Sequence, residues 1–134
     1  MTAVNKIEGI GDSYAKKLKA IGVTSVEGLL KMGSTPKGRE DLVAKSGIGN
    51  HLILKWVNHA DLFRIKGVGG QYSELLEAAG VDTVVELSQR NGKNLLDGIV
   101  KTNSGKKLVR KLPTQSQVEN WIAQAKKLPR VVNY

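Results

Sequence analysis

The chain has 134 residues, no cysteine, 4% aromatic content and a formal net charge of +9. These exclude disulfides, thiolate catalysis and cysteine-ligated zinc, and no apolar run reaches the roughly 18 residues of a membrane span. With no signal-peptide pattern at the N-terminus, a soluble cytoplasmic protein is expected. The charge is uneven. Residues 101–134 hold eight Lys/Arg against the single acid Glu119, whereas residues 65–100 hold three against five. A basic end on a small chain points to a polyanion partner, or to no more than a solvated surface.

Taken in chain order, Asp12 or Ser13 is placed to cap a first helix. Its apolar positions Tyr14, Ala15, Leu18 and Ile21 follow the 3.6-residue period, and Gly22 ends it. Thr24-x-x-Glu27 reads as a capping box before a short second helix with Val26, Leu29 and Leu30. Thr35-Pro36 opens a third helix, carrying Leu42 and Val43 and ended by Gly47. After the Gly47-Ile48-Gly49 turn, Asn50 is the expected cap of a fourth helix with Leu52, Ile53, Trp56, Val57 and Ala60 on one face. The same order then returns. Tyr72, Leu75, Leu76 and Ala79 line one helix, Thr83-x-x-Glu86 opens the next, and Leu95, Leu96, Ile99 and Val100 give a third. Lys101 to Lys111 reads as a basic loop around Asn103-Ser104-Gly105, and Thr114-x-x-Gln117 caps a last helix with Val118, Trp121, Ile122 and Ala125. Val131 and Val132 have the apolar character to tack the non-helical end onto the body. No period-2 alternation survives, so the fold class is all-α.

The recurrence is a duplication. Residues 7–30 and 65–88 align at an offset of 58 with ten of 24 positions identical, among them Gly9/Gly67, Gly11/Gly69, Tyr14/Tyr72 and Gly22/Gly80. Trp56 and Trp121 are 65 apart, which requires about seven extra residues before the second tryptophan. Self-similarity at a fixed period is the mark of a repeated structural unit.

Each copy opens with an apolar-x-Gly-apolar-Gly turn: Ile7, Gly9, Ile10 and Gly11, then Ile65, Gly67, Val68 and Gly69. A third, partial instance is Ser46-Gly47-Ile48-Gly49, and a fourth near Lys111 to Gln115 has lost both glycines. These residues resemble helix-hairpin-helix proteins. Over nearly its whole length, including the closing W-I-A-Q-A-K-K-L-P-R-V-V-N-Y, the chain is similar to a bacterial domain-of-unknown-function family built from tandem helix-hairpin-helix units. The resemblance implies two pseudo-repeated units, residues 1–64 and 65–134, packed into one compact body with a boundary near Arg64. It brings no established activity.

In DNA-binding hairpins of this kind the glycines let the backbone approach a phosphate, and the following helix offers free N–H groups and its positive dipole end. Such contacts fix position and carry no sequence information. On that pattern the candidate contacts are Lys16 and Lys17 at the first turn, and Lys66, Gly67 and Gly69 at the second. Lys45, Gly47, Gly49 and Lys55 serve the third turn, and Lys106, Lys107, Arg110 and Lys111 stand beside the fourth. Glu8 and Asp12 flank the first turn, and Asp12 as a cap would take the amides a phosphate needs; Glu74 and Glu77 follow the second. The alternative use of the same turns is purely structural, as tight joints between crossing helices.

Catalytic readings find little. His51 and His59 have no third metal ligand at useful spacing, Gly67-Val68-Gly69 follows no strand, and Ser104-Gly105-Lys106 lacks the rest of a P-loop. Hairpin-bearing DNA glycosylases have a Lys at the helix start, where Gln71 and Tyr72 stand in this chain. The expectation is a non-enzymatic module without cofactor or metal. It would bind nucleic acid, DNA rather than RNA, weakly and without sequence preference, or else serve as a protein-interaction scaffold. Tyr14, Tyr72, Trp56 and Trp121 fall on apolar helix faces and are expected in the core rather than as base-stacking platforms.

Overall fold

The computed structural model describes residues 2–134. Among the described residues there are eight α-helices, a 3-10 turn at Val4–Lys6 and no strand beyond an isolated bridge between Ala3 and Ser25. None of these helices is long and apolar enough to cross a membrane. The chain divides into two compact units: one runs to Asp61 and takes in Val131–Tyr134, the other is Leu62–Arg130. The last four residues, expected with the second half, thus belong with the first.

The first unit holds α1 (Asp12–Ala20), α2 (Val26–Met32), α3 (Pro36–Ser46) and α4 (Asn50–Leu62). Leu18, Val23, Leu29, Ile53 and Val57 lose all contact with solvent, and fully burying such a side chain contributes about 1.5–3 kcal/mol. Helix starts differ from expectation at three places. Gly11, not Asp12 or Ser13, is the N-cap of α1, and it makes no side-chain cap bond. Asp12 is therefore already helical, and its carboxylate does not close off the turn. Ser25 rather than Thr24 caps α2, accepting from the Gly28 N–H at 2.9 Å. Glu27 instead accepts from the Thr2 N–H at 3.0 Å. Hydrogen bonds from backbone N–H groups, its own first and then that of Thr2, hold its carboxyl below the ordinary value. Asn50, expected as a cap, lies within α4.

The second unit holds α5 (Gly70–Ala78), α6 (Val84–Ser88), α7 (Gly92–Lys106) and α8 (Gln115–Lys127), with α6 and α7 packed on α8 and α5 on α7. Leu62, Ile65, Leu75, Leu76, Val84, Leu87, Leu95, Ile99 and Val118 form its core with Trp121 and Ile122. Thr114 and Gln117 make a complete capping box on α8. Asn103-Ser104-Gly105, read as a loop, is the last turn of α7. Asn103 is tied to the segment that follows the helix. Its side-chain amide donates to the Val109 carbonyl at 3.1 Å and accepts from the Val109 N–H at 3.0 Å, fixing the chain just after the helix. Lys107, with φ of 50°, makes the left-handed exit.

Local geometry recurs at the offset of 58. Gly9 and Gly67 have φ of 94° and 96°, and Gly22 and Gly80 have 90° and 96°. Gly11 and Gly69 are both extended N-caps without side-chain bonds. Tyr14 meets Trp56 with centroids 5.0 Å apart, and Tyr72 meets Trp121 at 5.2 Å. Both tryptophans are buried, as the apolar faces predict, and such aromatic pairs add about 0.5–1.5 kcal/mol each beyond area burial. The extra residues before Trp121 are now located. Helix α7 has 15 residues against 11 in α3, and the connection after it spans 107–114 against 47–49, while α6 has five residues against seven in α2.

Candidate nucleic-acid interface

The lengthened connection 107–114 helps to line a cavity at the start of α5. This open cavity of about 420 Å³ is lined by Gly69, Gly70, Gln71, Tyr72, Arg110 and Lys111. Its floor is the start of α5, where Gly69 is the N-cap and its carbonyl accepts the first helical bond, from Ser73 at 2.9 Å. The first turn of α5 carries no acidic residue, so the positive end of the helix dipole is not offset locally. A Cβ built on Gly69 would meet nothing within 4 Å, which leaves room for a ligand to reach the backbone. The wall is basic. Arg110 and Lys111 are both exposed, and the Tyr72 hydroxyl donates to the Lys111 carbonyl at 2.9 Å. Two cations and the open end of a helix therefore face one cavity, although 41 residues separate Gly69 from Arg110.

The other candidates of the second unit lie outside this cavity. Gly67 is a packing glycine: with φ of 96° and a Cβ position 3.2 Å from Trp121 Nε1, it lets the turn close over the indole. Lys66 has its backbone clipped by Gln124, which accepts from its N–H at 2.8 Å and donates to its carbonyl at 3.1 Å. Its side chain is exposed beside the turn. Lys106 ends α7 and Lys107 follows it; both are exposed, and neither lines the cavity.

In the first unit, Gly11 has open space where a Cβ would stand, and Lys16 and Lys17 are exposed on α1. Lys17 Nζ lies 5.7 Å from the Tyr14 ring centroid. Gly47, with φ of 75°, is the left-handed end of α3, and Gly49 is open to solvent. One amide of that turn is already used, because the Ile48 N–H donates to Ser46 Oγ at 3.0 Å. Lys45 lies exposed in the last turn of α3, where a cation is favoured by the helix itself. Lys55 is half-buried. Of the four turns, then, the second joins a free helix start to two cations, and the convergence rests on residues that no local pattern links. The one sequence signal for it is the register shift between Tyr72 and Trp121, which puts the added length in the basic segment.

These features define an all-helical chain of two units in which glycine turns lead into helix starts, with basic residues gathered at one of them. Residues 8–128 match the family described as a domain of unknown function, DUF4332, and the chain belongs to that family. No curated protein and no solved structure matches the chain.

Proposed function

We propose that the two units are helix-hairpin-helix repeats and that the chain is a non-catalytic module binding nucleic acid, DNA in particular, through backbone phosphates and without sequence preference. The observation that carries this reading is the cavity in which the open start of α5 at Gly69-Gly70 faces Arg110 and Lys111. Backbone amides and a helix dipole suit a phosphate oxygen, and two cations complete the neutralisation. Both tryptophans are buried and Tyr14 and Tyr72 pack on them, so these four rings are engaged with one another rather than presented to unpaired bases. That favours contact with the phosphates rather than the bases. Lys16, Lys17 and Lys66 supply further positive charge on exposed surface.

A second reading, a protein-interaction scaffold, draws on Gly9 and Gly67. Their Cβ positions lie 3.4 and 3.2 Å from Trp56 and Trp121 Nε1, so these two glycines already have a packing role.

Two glycine substitutions separate the roles. Gly69→Ala places a methyl group in open space at an extended residue, and its cost to stability is at most about 1 kcal/mol. Duplex affinity is expected to fall about tenfold, because the Cβ then stands between a phosphate and the amides of α5. Gly67→Ala is expected to lower the stability of the second unit by about 2 kcal/mol, from positive φ and crowding against Trp121. Thermal melts and fluorescence-anisotropy titration with two unrelated mixed-sequence duplexes check both. Equal affinity of wild type for the two duplexes supports the proposal. Absence of binding at 50 mM salt, or undiminished binding by Gly69→Ala, contradicts it.

A further inference from the structure

We propose that Tyr72 is a positioning residue of the phosphate site, holding the segment that carries Arg110 and Lys111 over the start of α5. The inference rests on the phosphate-binding reading above and assigns the site its organising side chain. Tyr72 is the third residue of α5, so it stands in the turn whose N–H groups face the cavity. Its ring is fixed by packing on Trp121, with centroids 5.2 Å apart and planes at 54°. From that fixed ring the hydroxyl donates to the Lys111 carbonyl at 2.9 Å.

The connection 107–114 is anchored at each end by other means. Asn103 brackets Val109 through two hydrogen bonds, and the Thr114–Gln117 capping box secures the start of α8. Arg110 and Lys111 lie between these anchors with exposed side chains, and the Tyr72 hydroxyl ties their backbone to α5. The bond is solvent-exposed, and exposed hydrogen bonds contribute little to folding. Its consequence lies in pre-organisation: two cations held at the helix start need not be ordered when a phosphate arrives. In the first unit Tyr14 repeats the ring packing on Trp56 at 5.0 Å, with Lys17 over its face instead.

Tyr72→Phe keeps the ring and removes the hydroxyl. For a mixed-sequence duplex at 50 mM salt, affinity is expected to fall about three- to tenfold. The slope of log affinity against log salt is expected to become shallower by about one, as one phosphate contact loses its occupancy. The melting of the second unit, followed through Trp121 fluorescence in a Trp56→Phe background, should be the same with Tyr72 or Phe at position 72. In an Arg110→Ala/Lys111→Ala background the same change should cost nothing further, because the groups it positions are gone. Tyr14→Phe should leave affinity and slope unaltered.

Wild-type slope and affinity in Tyr72→Phe would overturn the assignment. So would an equal loss in the background lacking both cations, or a loss that simply follows a lowered melting temperature. If wild type itself fails to bind duplex at 50 mM salt, the phosphate-binding reading falls and this assignment with it. If wild type binds through Arg110 and Lys111 while Tyr72→Phe matches it, only the positioning role is lost.

Discussion

Charge reversal at the cavity, Arg110→Glu/Lys111→Glu, is expected to weaken duplex binding at least about a hundredfold at 50 mM salt. On a counterion-release slope of about 0.9 per phosphate, each contact contributes roughly tenfold at that salt concentration, and two contacts are lost together. The new carboxylates also repel the phosphates and face the start of α5, whose dipole they would occupy themselves. The parallel change Lys106→Glu/Lys107→Glu alters net charge equally, but on side chains that do not line the cavity. Its expected cost is about tenfold, through long-range attraction alone. Far-UV circular dichroism should be the same for both variants, since all four side chains are exposed. Equal losses in the two variants would mean a diffuse basic surface rather than a site at Gly69.

Arg39→Ala is expected to destabilise the first unit by about 3 kcal/mol while leaving the second unit unchanged. Arg39 is a charged residue only 6% exposed, and its guanidinium is spent on backbone carbonyls. It donates to Gly33 O at 2.8 Å and to Asn133 O at 2.7 Å. The Tyr134 ring lies 5.7 Å from Arg39 Cζ, and its hydroxyl donates to Asn58 Oδ1 at 2.9 Å. The Asn133 N–H donates to the Ser34 carbonyl at 2.8 Å, and Val132 is buried. Residues 131–134 are thereby fastened to the first unit, and Arg39 is the one charged side chain among these contacts. Removing it strips two carbonyls of a charged donor, each such bond being worth about 1.5–3 kcal/mol. In a unit of this size that lowers the melting temperature by about 12 °C or more. Hydrogen exchange resolves the two halves. Amides of α2 and α3 should exchange faster and those of α7 and α8 at the wild-type rate. Uniform acceleration through both units would show that the fastening is not confined to the first.

The sequence makes the helices legible because they depend on local pattern. Trp56 and Trp121 fall at core positions of a 3.6-residue period, and the 58-residue offset of the glycines reappears in matched backbone angles. Cap assignments slip by one residue where neighbouring residues can both take the cap, as Gly11 and Asp12 or Thr24 and Ser25 can. Gly11 takes the extended cap conformation, leaving Asp12 inside the first turn of the helix. Asn103-Ser104-Gly105 carries a loop's composition, yet it is helical, and Asn103 spends its side chain on Val109 just beyond the helix. The site itself is tertiary. Gly69 and Arg110 meet only because α5 packs on α7 and the connection after α7 returns to Tyr72. Arg39 gives no local sign of its role, since its partner Asn133 lies 94 residues away.

The same physical distinction separates the glycines. Gly67 is needed by the fold, as its positive φ and the closeness of its Cβ position to Trp121 make plain, whereas Gly69 is extended and a Cβ there would meet nothing within 4 Å. In the sequence the two look alike. Only the structure tells which of them has space for a ligand.

The salt dependence of duplex binding tests the central proposal most directly. Affinity for a mixed-sequence duplex should be measured at 50 and 200 mM salt with the full chain. Two phosphate contacts, at Arg110 and Lys111, predict a fall of at least about tenfold between them, the same for any sequence. Binding that is indifferent to salt, or no binding at 50 mM, would contradict the account and leave the glycine turns as joints of a protein scaffold.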